Sequence, residues 1–245
     1  MESLILCAGF AKRLEPITEF TPKPLLYVKD KPLLGHIIDA VDDLKIKRKV
    51  ISVNKKFSSQ FKYLLNLEKA GGEKGIELVV EPSIDNAERY GAIGSINYAI
   101  RNAKIKDDLL IIAGDNYFEF DLLELKKHFE KKKKPIIALY DVKSIEDAKL
   151  FGVVSVDNES RIVSFTEKPE KPKSTLISTG IYIFPKGMLK KFHSYLKESG
   201  KHDEIGHFIE WLVKNEEVYG YIYKEGNWHD IGNLTIYRKL FYSNL

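Results

Sequence analysis

Short unbroken apolar runs alternate along this chain with stretches whose apolar residues recur every three or four positions. Residues 3–7 (SLILC), 49–53, 76–80, 109–113 (LLIIA) and 136–142 read as strands, the most apolar of them buried on both faces. Between the first two, residues 32–44 place Leu33, Leu34, Ile37, Ile38, Val41 and Leu44 on one stripe, the mark of an amphipathic helix. Residues 57–69, stopped by Gly71-Gly72, and residues 92–103 and 122–132 read as further helices. The order βαβαβαβαβ predicts an α/β fold, a Rossmann-like mixed and mostly parallel sheet flanked by helices on both faces.

Beyond residue 150 the pattern changes. Residues 153–156, 162–168, 177–184 and 218–224 alternate like sheet segments, with turns such as Asp157-Asn158 between them. Helices near 186–197 and 205–214 interrupt them, and a last helix spans about 234–242. No repeat, low-complexity tract or long linker divides the chain, so residues 1–245 read as one domain on a shared sheet. Its first 115 residues or so look like a nucleotide-binding half and residues 116–245 like an acceptor half. In such sheets ligands sit beyond the carboxyl ends of the strands, where strand order reverses, so the segment after each strand is where chemistry is sought.

Composition narrows the partners. Net charge is only +4, and of 39 basic residues six are Arg. Readers of nucleic-acid bases favour Arg, and the Lys residues here are scattered, so no nucleic-acid partner is expected. The one dense run, residues 131–134 (KKKK), reads as a solvated helix end. A single cysteine, Cys7, excludes a disulfide framework and a cysteine zinc cluster. No apolar run approaches the ~20 residues that span a bilayer, and the first residues lack a basic, apolar leader. The expectation is a cytoplasmic protein without a membrane partner.

After the first strand, Ala8, Gly9 and Ala11 let backbone N–H groups approach phosphate oxygens, and Lys12, Arg13 and Lys23 supply charge. The loop is neither a P-loop nor a dinucleotide fingerprint, since neither glycine pattern occurs in the chain. Asp115, in Gly114-Asp115-Asn116, ends a strand where it could hold a hard cation or simply close a turn. Glu167 and Lys168 could take a sugar hydroxyl and a phosphate, or form a surface ion pair. The histidines show no metal-ligand spacing: His202 and His207 are five apart. His229 should face away from Asp230 if the two share a strand.

The run LILCAGFAKRLEPITEFTPKPLLYV resembles the signature of the sugar-1-phosphate nucleotidyltransferases, the nucleoside-diphosphate-sugar pyrophosphorylases. Ala11 stands where that signature has a second glycine, and Lys12 where it has threonine. The methyl of Ala11 matters most if the position needs φ > 0. Residues 90–96 (YGAIGSI), 151–154 (FGVV), 165–169 (FTEKP), 178–182 (STGIY) and 226–232 (GNWHDIG) are similar to later family motifs, in family order, so the likeness covers nearly the whole chain. It implies the family's nucleotide-diphospho-sugar transferase sandwich and Mg²⁺ as cofactor, held by Asp115 and Asp230. It implies nucleotide binding by Ala8, Gly9, Ala11, Lys12, Glu81 and Gly91, with Arg13, Lys23 and Asp115 catalytic. Gly152, Glu167, Lys168 and Ser178 then hold the sugar phosphate. Residues 85–89 form a longer, charged approach to the base than the family's.

These parts suit in-line transfer, in which a sugar 1-phosphate oxygen attacks the α-phosphorus of a nucleoside triphosphate and pyrophosphate leaves. Such a step needs positioning and charge neutralisation more than proton transfer. The resemblance leans toward dTTP or UTP with glucose 1-phosphate, on the TGIY segment and on a length without an acyltransferase-like repeat region. Mannose-1-phosphate guanylyltransferases and cytidylyltransferases share the framework. A nucleotide-sugar glycosyltransferase would carry an Asp-x-Asp pair, which Asp115-Asn116-Tyr117 lacks. A non-catalytic nucleotide-sugar-binding regulatory subunit is the remaining alternative. Dimers and tetramers are common in the family, which implies a homo-oligomer, and the apolar face of residues 234–242 is expected to pack on its own sheet or on a second subunit.

Overall fold

Alternation along each central strand divides the interior between the two faces of one sheet. In the computed structural model, which describes residues 1–70, 75–200 and 203–242, β1 (Glu2–Cys7) leads into 3-10 turns at Lys12–Leu14 and Lys23–Leu25. A small hairpin follows, β2 (Tyr27–Val28) and β3 (Lys31–Pro32), then α1 (Leu33–Asp43), β4 (Lys49–Asn54), α2 (Ser58–Ala70) and β5 (Ile76–Glu81). Next come α3 (Gly91–Asn102), β6 (Leu109–Ala113), β7 (Asn116–Phe118), α4 (Leu123–Lys132), β8 (Ile136–Asp141) and α5 (Ile145–Ala148). The later elements are β9 (Gly152–Val156), β10 (Ile162–Glu167), β11 (Leu176–Phe184), α6 (Lys190–Ser199), α7 (Ile205–Asn215), β12 (Tyr219–Tyr223), β13 (Trp228–Asp230) and α8 (Leu234–Tyr242). Gly71-Gly72 and His202 lie outside the described residues.

The main sheet runs β10-β9-β11-β6-β1-β4-β5, with β8 also on β11 and β12 on β8. Pairs β1–β4, β1–β6, β4–β5 and β8–β12 are parallel. Ile5, Ile51 and Ile112 face α1, α2 and α4, while their neighbours Leu4, Val50 and Ile111 face α3, α6 and α7. Both faces are covered, which is why these strands read as continuous apolar runs. The second face is stitched by aromatics: the Phe192 and Phe208 rings stack with centroids 4.3 Å apart. Burying rings of this size stabilises the fold by about 1.5–3 kcal/mol each.

The sheet is mixed where β11 lies between β6 and β8, antiparallel to both. The nine-residue β11 can bridge two groups of strands because its register shifts between Ser178 and Tyr182. The last helix does not rest on the main sheet. Leu240 of α8 packs with Leu14, Leu26, Val28, Tyr117 and Ile231, a third apolar cluster beneath the hairpin and β13. The lysine run does end a helix: Lys133 caps α4 in the left-handed conformation, and Lys134 pairs with Glu217 at 2.9 Å.

Strand β1 has β4 on one side and β6 on the other, so the loops after β1 and β6 open a crevice at a switch in strand order.

Candidate active site

The loop leaving β1 is held from outside while its small residues face open space. Asn54 Nδ2 donates to the Ala8 carbonyl at 3.0 Å, and Thr18 Oγ1 donates to the Ala11 carbonyl at 2.8 Å. A methyl built on Gly9 would meet no atom within 4 Å. Ala11 adopts φ 48°, ψ 40°, the left-handed conformation that glycine enters without steric cost. The condition set by the sequence comparison is therefore met: this position has φ > 0, and an alanine occupies it. Lys12 pairs with Glu15 at 2.9 Å on the surface.

Lys23, in the second 3-10 turn, is 9% exposed and donates from Nζ to Asp115 Oδ2 at 3.0 Å. Asp115 reaches the crevice because Gly114 lies tight against β1, where a Cβ would stand 2.5 Å from the Leu6 carbonyl and 2.7 Å from Cys7 Sγ. The second carboxylate comes from far away in sequence. Strand β13 pairs antiparallel with β7, setting Asp230 opposite Asn116, and the Trp228 indole N–H donates to Asn116 Oδ1 at 2.9 Å. His229 points the other way, into a separate 300 Å³ cavity with Lys29, Tyr117 and Glu119.

Burial works against the Asp115 charge, but the Lys23 ammonium outweighs it and holds that carboxyl below its ordinary range. Asp230 behaves oppositely. Burial and the adjacent Asp115 push it up to about 7, against the pull of Lys23 and Arg13. Two carboxylates held against each other repel, and Asp115 already takes up the Lys23 ammonium, so Asp230 is the less compensated of the two. A hard divalent cation fits such a pair, taking one or two carboxylates and completing its shell with phosphate oxygens and water. Among the described residues no group of three or more His, Cys, Asp or Glu side chains could hold a metal, so the remaining ligands would come from substrate.

A 510 Å³ cavity runs from Lys23 and Asp115 along the loop. Ala8, Gly9, Ala11, Lys12, Arg13, Lys23, Glu81, Gly91 and Asp115 all line it. So do residues that sequence reading missed, including Asn86, Arg89, Ser95 and Asp203. The charged approach of residues 85–89 explains part of this: Arg89 grips the Asp203 carboxylate with two hydrogen bonds, at 2.8 and 3.1 Å. The Asp203 carbonyl also accepts from Ala92 N–H at 2.7 Å, joining the start of α3 to the approach of α7.

Gly152, Glu167, Lys168 and Ser178 do not line that cavity; they gather beside it. A Cβ at Gly152 would stand 3.0 Å from Glu167 Oε2, and one at Gly206 would stand 1.7 Å from it, so both glycines make room for this carboxylate. Burial pushes the Glu167 carboxyl up, with Lys168 opposing. Lys168 is ion-paired to Glu204 and lies 3.7 Å from Glu167 Oε1. Ser178 Oγ donates to the Tyr182 hydroxyl at 3.1 Å, and the charges of Glu167 and Asp115 both reach that hydroxyl. The two groups of residues are thus neighbours across Tyr182. No sequence signal marks Gly206, whose importance comes only from the approach of α7 to β10.

Known proteins place this geometry in a family. A family model described as nucleotidyl transferase matches residues 2–244. The bifunctional protein GlmU of Methanocaldococcus jannaschii is 37% identical over 95% of this chain, which spans only 51% of that relative. The D-glycero-alpha-D-manno-heptose 1-phosphate guanylyltransferase of Campylobacter jejuni is 30% identical over 78% of this chain and 79% of its own length. A Bacillus anthracis structure assigned as a glucose-1-phosphate thymidylyltransferase, in complex with sucrose, superposes with a TM-score of 0.84 at 26% identity, covering 98% of this chain and 93% of that one. With the family pattern running through nearly every residue and the fold repeated in that structure, the chain belongs to the nucleotidyl transferase family, among the sugar-1-phosphate nucleotidyltransferases.

Proposed function

We propose that the chain transfers a nucleotidyl group from a nucleoside triphosphate to a sugar 1-phosphate, releasing pyrophosphate and forming a nucleoside diphosphate sugar. The observation that carries this reading is the Lys23–Asp115 pair, 3.0 Å apart in the wall of a cavity lined by a small-residue loop, with Asp230 against Asp115. A 1-phosphate oxygen is already a competent nucleophile, so the step forms one P–O bond at the α-phosphorus and breaks the α–β bridge without a side-chain base. The backbone of residues 8–13 cradles the triphosphate, and Arg13 and Lys23 offset charge on the leaving and α-phosphates. Lys168 and Glu167 receive the sugar phosphate, with Gly152 and Ser178 shaping that side. Asp115 and Asp230 would hold Mg²⁺, which when bound neutralises the reacting phosphates.

Glucose 1-phosphate is the first acceptor to test. The likeness to the Bacillus anthracis structure supports it and supports dTTP as donor, with UTP the other pyrimidine to test. The Campylobacter relative, a guanylyltransferase, supports the second reading, GTP, and Glu81 favours that one. Among the described residues no helix is long and apolar enough to cross a membrane, in keeping with a cytoplasmic enzyme that meets small-molecule substrates.

The test is pyrophosphate release with Mg²⁺, crossing GTP, dTTP, UTP, CTP and ATP against glucose, galactose, mannose and N-acetylglucosamine 1-phosphates. Release that requires both substrates is expected. Binding of nucleotide sugar by a folded protein that turns over no pair would favour a regulatory subunit instead.

A further inference from the structure

The cavity wall away from the phosphate loop holds a buried carboxylate oxygen that nothing satisfies. Glu81 ends β5 with 1% of its surface exposed, and its Oε1 has no hydrogen-bond partner among the described residues. The Ser95 hydroxyl of α3 lies against the carboxylate, and Gly91 and Ala92, without large side chains, leave a slot beside it. An unpartnered buried carboxylate oxygen is costly, so its retention at a binding cavity calls for a donor arriving with the ligand.

Resting on the nucleotidyl-transfer reading, we infer that Glu81 makes this pocket select guanine, so that GTP is the nucleotide donor. A carboxylate only accepts hydrogen bonds. Guanine presents two adjacent donors, N1–H and the 2-amino group, and both can meet the two oxygens of one carboxylate. Uracil and thymine offer one N–H between two carbonyl oxygens, and each carbonyl would face a carboxylate oxygen. Cytosine and adenine pair an amino group with a ring nitrogen lone pair, so one oxygen again meets an acceptor. Only guanine satisfies the free oxygen of Glu81 without setting a lone pair against the other.

Calorimetric titration of GTP, ITP, UTP, dTTP, CTP and ATP into the full chain with Mg²⁺ tests this. Wild type should bind GTP at least about tenfold more tightly than UTP or dTTP. ITP, which lacks the 2-amino group, should fall behind GTP by a similar factor. Glu81→Gln keeps the shape but supplies one acceptor and one donor, the match for uracil, so GTP should weaken at least about tenfold and UTP should gain. Tighter binding of UTP or dTTP than GTP by wild type, or GTP affinity unchanged in Glu81→Gln, would overturn the inference. Turnover with UTP or dTTP in preference to GTP would remove it while leaving nucleotidyl transfer standing. Failure of a folded protein to bind any triphosphate would remove both.

Discussion

Glu81→Gln should also raise stability, by an amount set by pH. Burial lifts the Glu81 carboxyl from its ordinary 4.5 to about 7, with the Ser95 hydroxyl opposing. The native chain therefore holds a proton there that the unfolded chain has released at every pH between those values. Since stability falls with pH wherever the native state binds more protons, this group contributes no penalty below about pH 4.5 and its full penalty above about pH 7. At about 1.4 kcal/mol for each pH unit of displacement, the loss approaches roughly 3 kcal/mol. Glutamine fills the same volume without ionising. The variant should match wild type near pH 4.5 and exceed it by up to roughly 3 kcal/mol at pH 8.

Urea unfolding of both proteins without nucleotide, from pH 4.5 to 8.5, measures the difference directly. A wild-type-minus-variant difference that stays flat across that range would refute the argument, as would a variant less stable than wild type at pH 8. Saturating GTP should shrink the difference at pH 8, because N–H donors from the base would stabilise the ionised form in wild type alone.

Asp115→Asn should leave a folded protein whose pyrophosphate release is slower by about 10²–10³-fold, the usual cost of one lost charged contact at a reacting phosphate; near-normal turnover would remove Asp115 from the site. Gly206→Ala puts a methyl where Glu167 Oε2 now sits, 1.7 Å from the Cβ position. It should raise KM for the sugar phosphate more than tenfold while leaving KM for the triphosphate within about twofold, since that glycine does not line the cavity beside the loop after β1; equal shifts in both would point to general misfolding. Ala11→Gly releases a residue held at φ 48°. The left-handed conformation costs an alanine roughly 1–2 kcal/mol and glycine's extra unfolded-state freedom takes back about half, so the melting temperature should rise by about 1–4 °C. A fall would mean that the Ala11 methyl has packing worth more than its strain.

Much of the frame could be read from the chain because its causes are local. Strands β1, β4 and β6 announce themselves as apolar runs, and α8 matches its expected span because its periodicity lies within nine residues. Strand β7 was invisible for the opposite reason, and β13 was suggested only by the resemblance. Each is three residues long, too short for any period, and each exists only because Asp230 is brought opposite Asn116 across more than a hundred residues. The insertion of β11 between β6 and β8 was likewise not legible, since it is decided by packing on both faces and not by any strand's own pattern. At the site, the resemblance pointed to Lys23 and Asp115, and the structure shows them bonded. It could not reveal Gly206, the grip of Arg89 on Asp203, or the unsatisfied oxygen of Glu81, all of which depend on close approach between distant segments.

The charges around the reacting centre lead to a last expectation. Arg13 and Lys23 formally balance Asp115 and Asp230, and Lys23 is already committed to Asp115. A triphosphate adds several negative charges to this balanced set. If Lys23 swings to the phosphate, Asp115 and Asp230 are left facing each other and the nucleotide uncovered; if it stays, Arg13 is left nearly alone to offset the polyphosphate. Neither arrangement is favourable in a partly buried crevice, where like charges interact more strongly than in water. A divalent cation between the carboxylates and the phosphates resolves both at once, so nucleotide and cation should bind with positive coupling. Titrating triphosphate into the chain with Mg²⁺ and with EDTA should show affinity at least tenfold weaker without the cation, a coupling of about 1.4 kcal/mol or more. In Asp230→Asn, where one facing carboxylate is gone, the difference between the two titrations should narrow. Equal affinities with and without Mg²⁺ in wild type would mean that Lys23 and Arg13 carry the polyphosphate alone and that the carboxylate pair serves some other purpose.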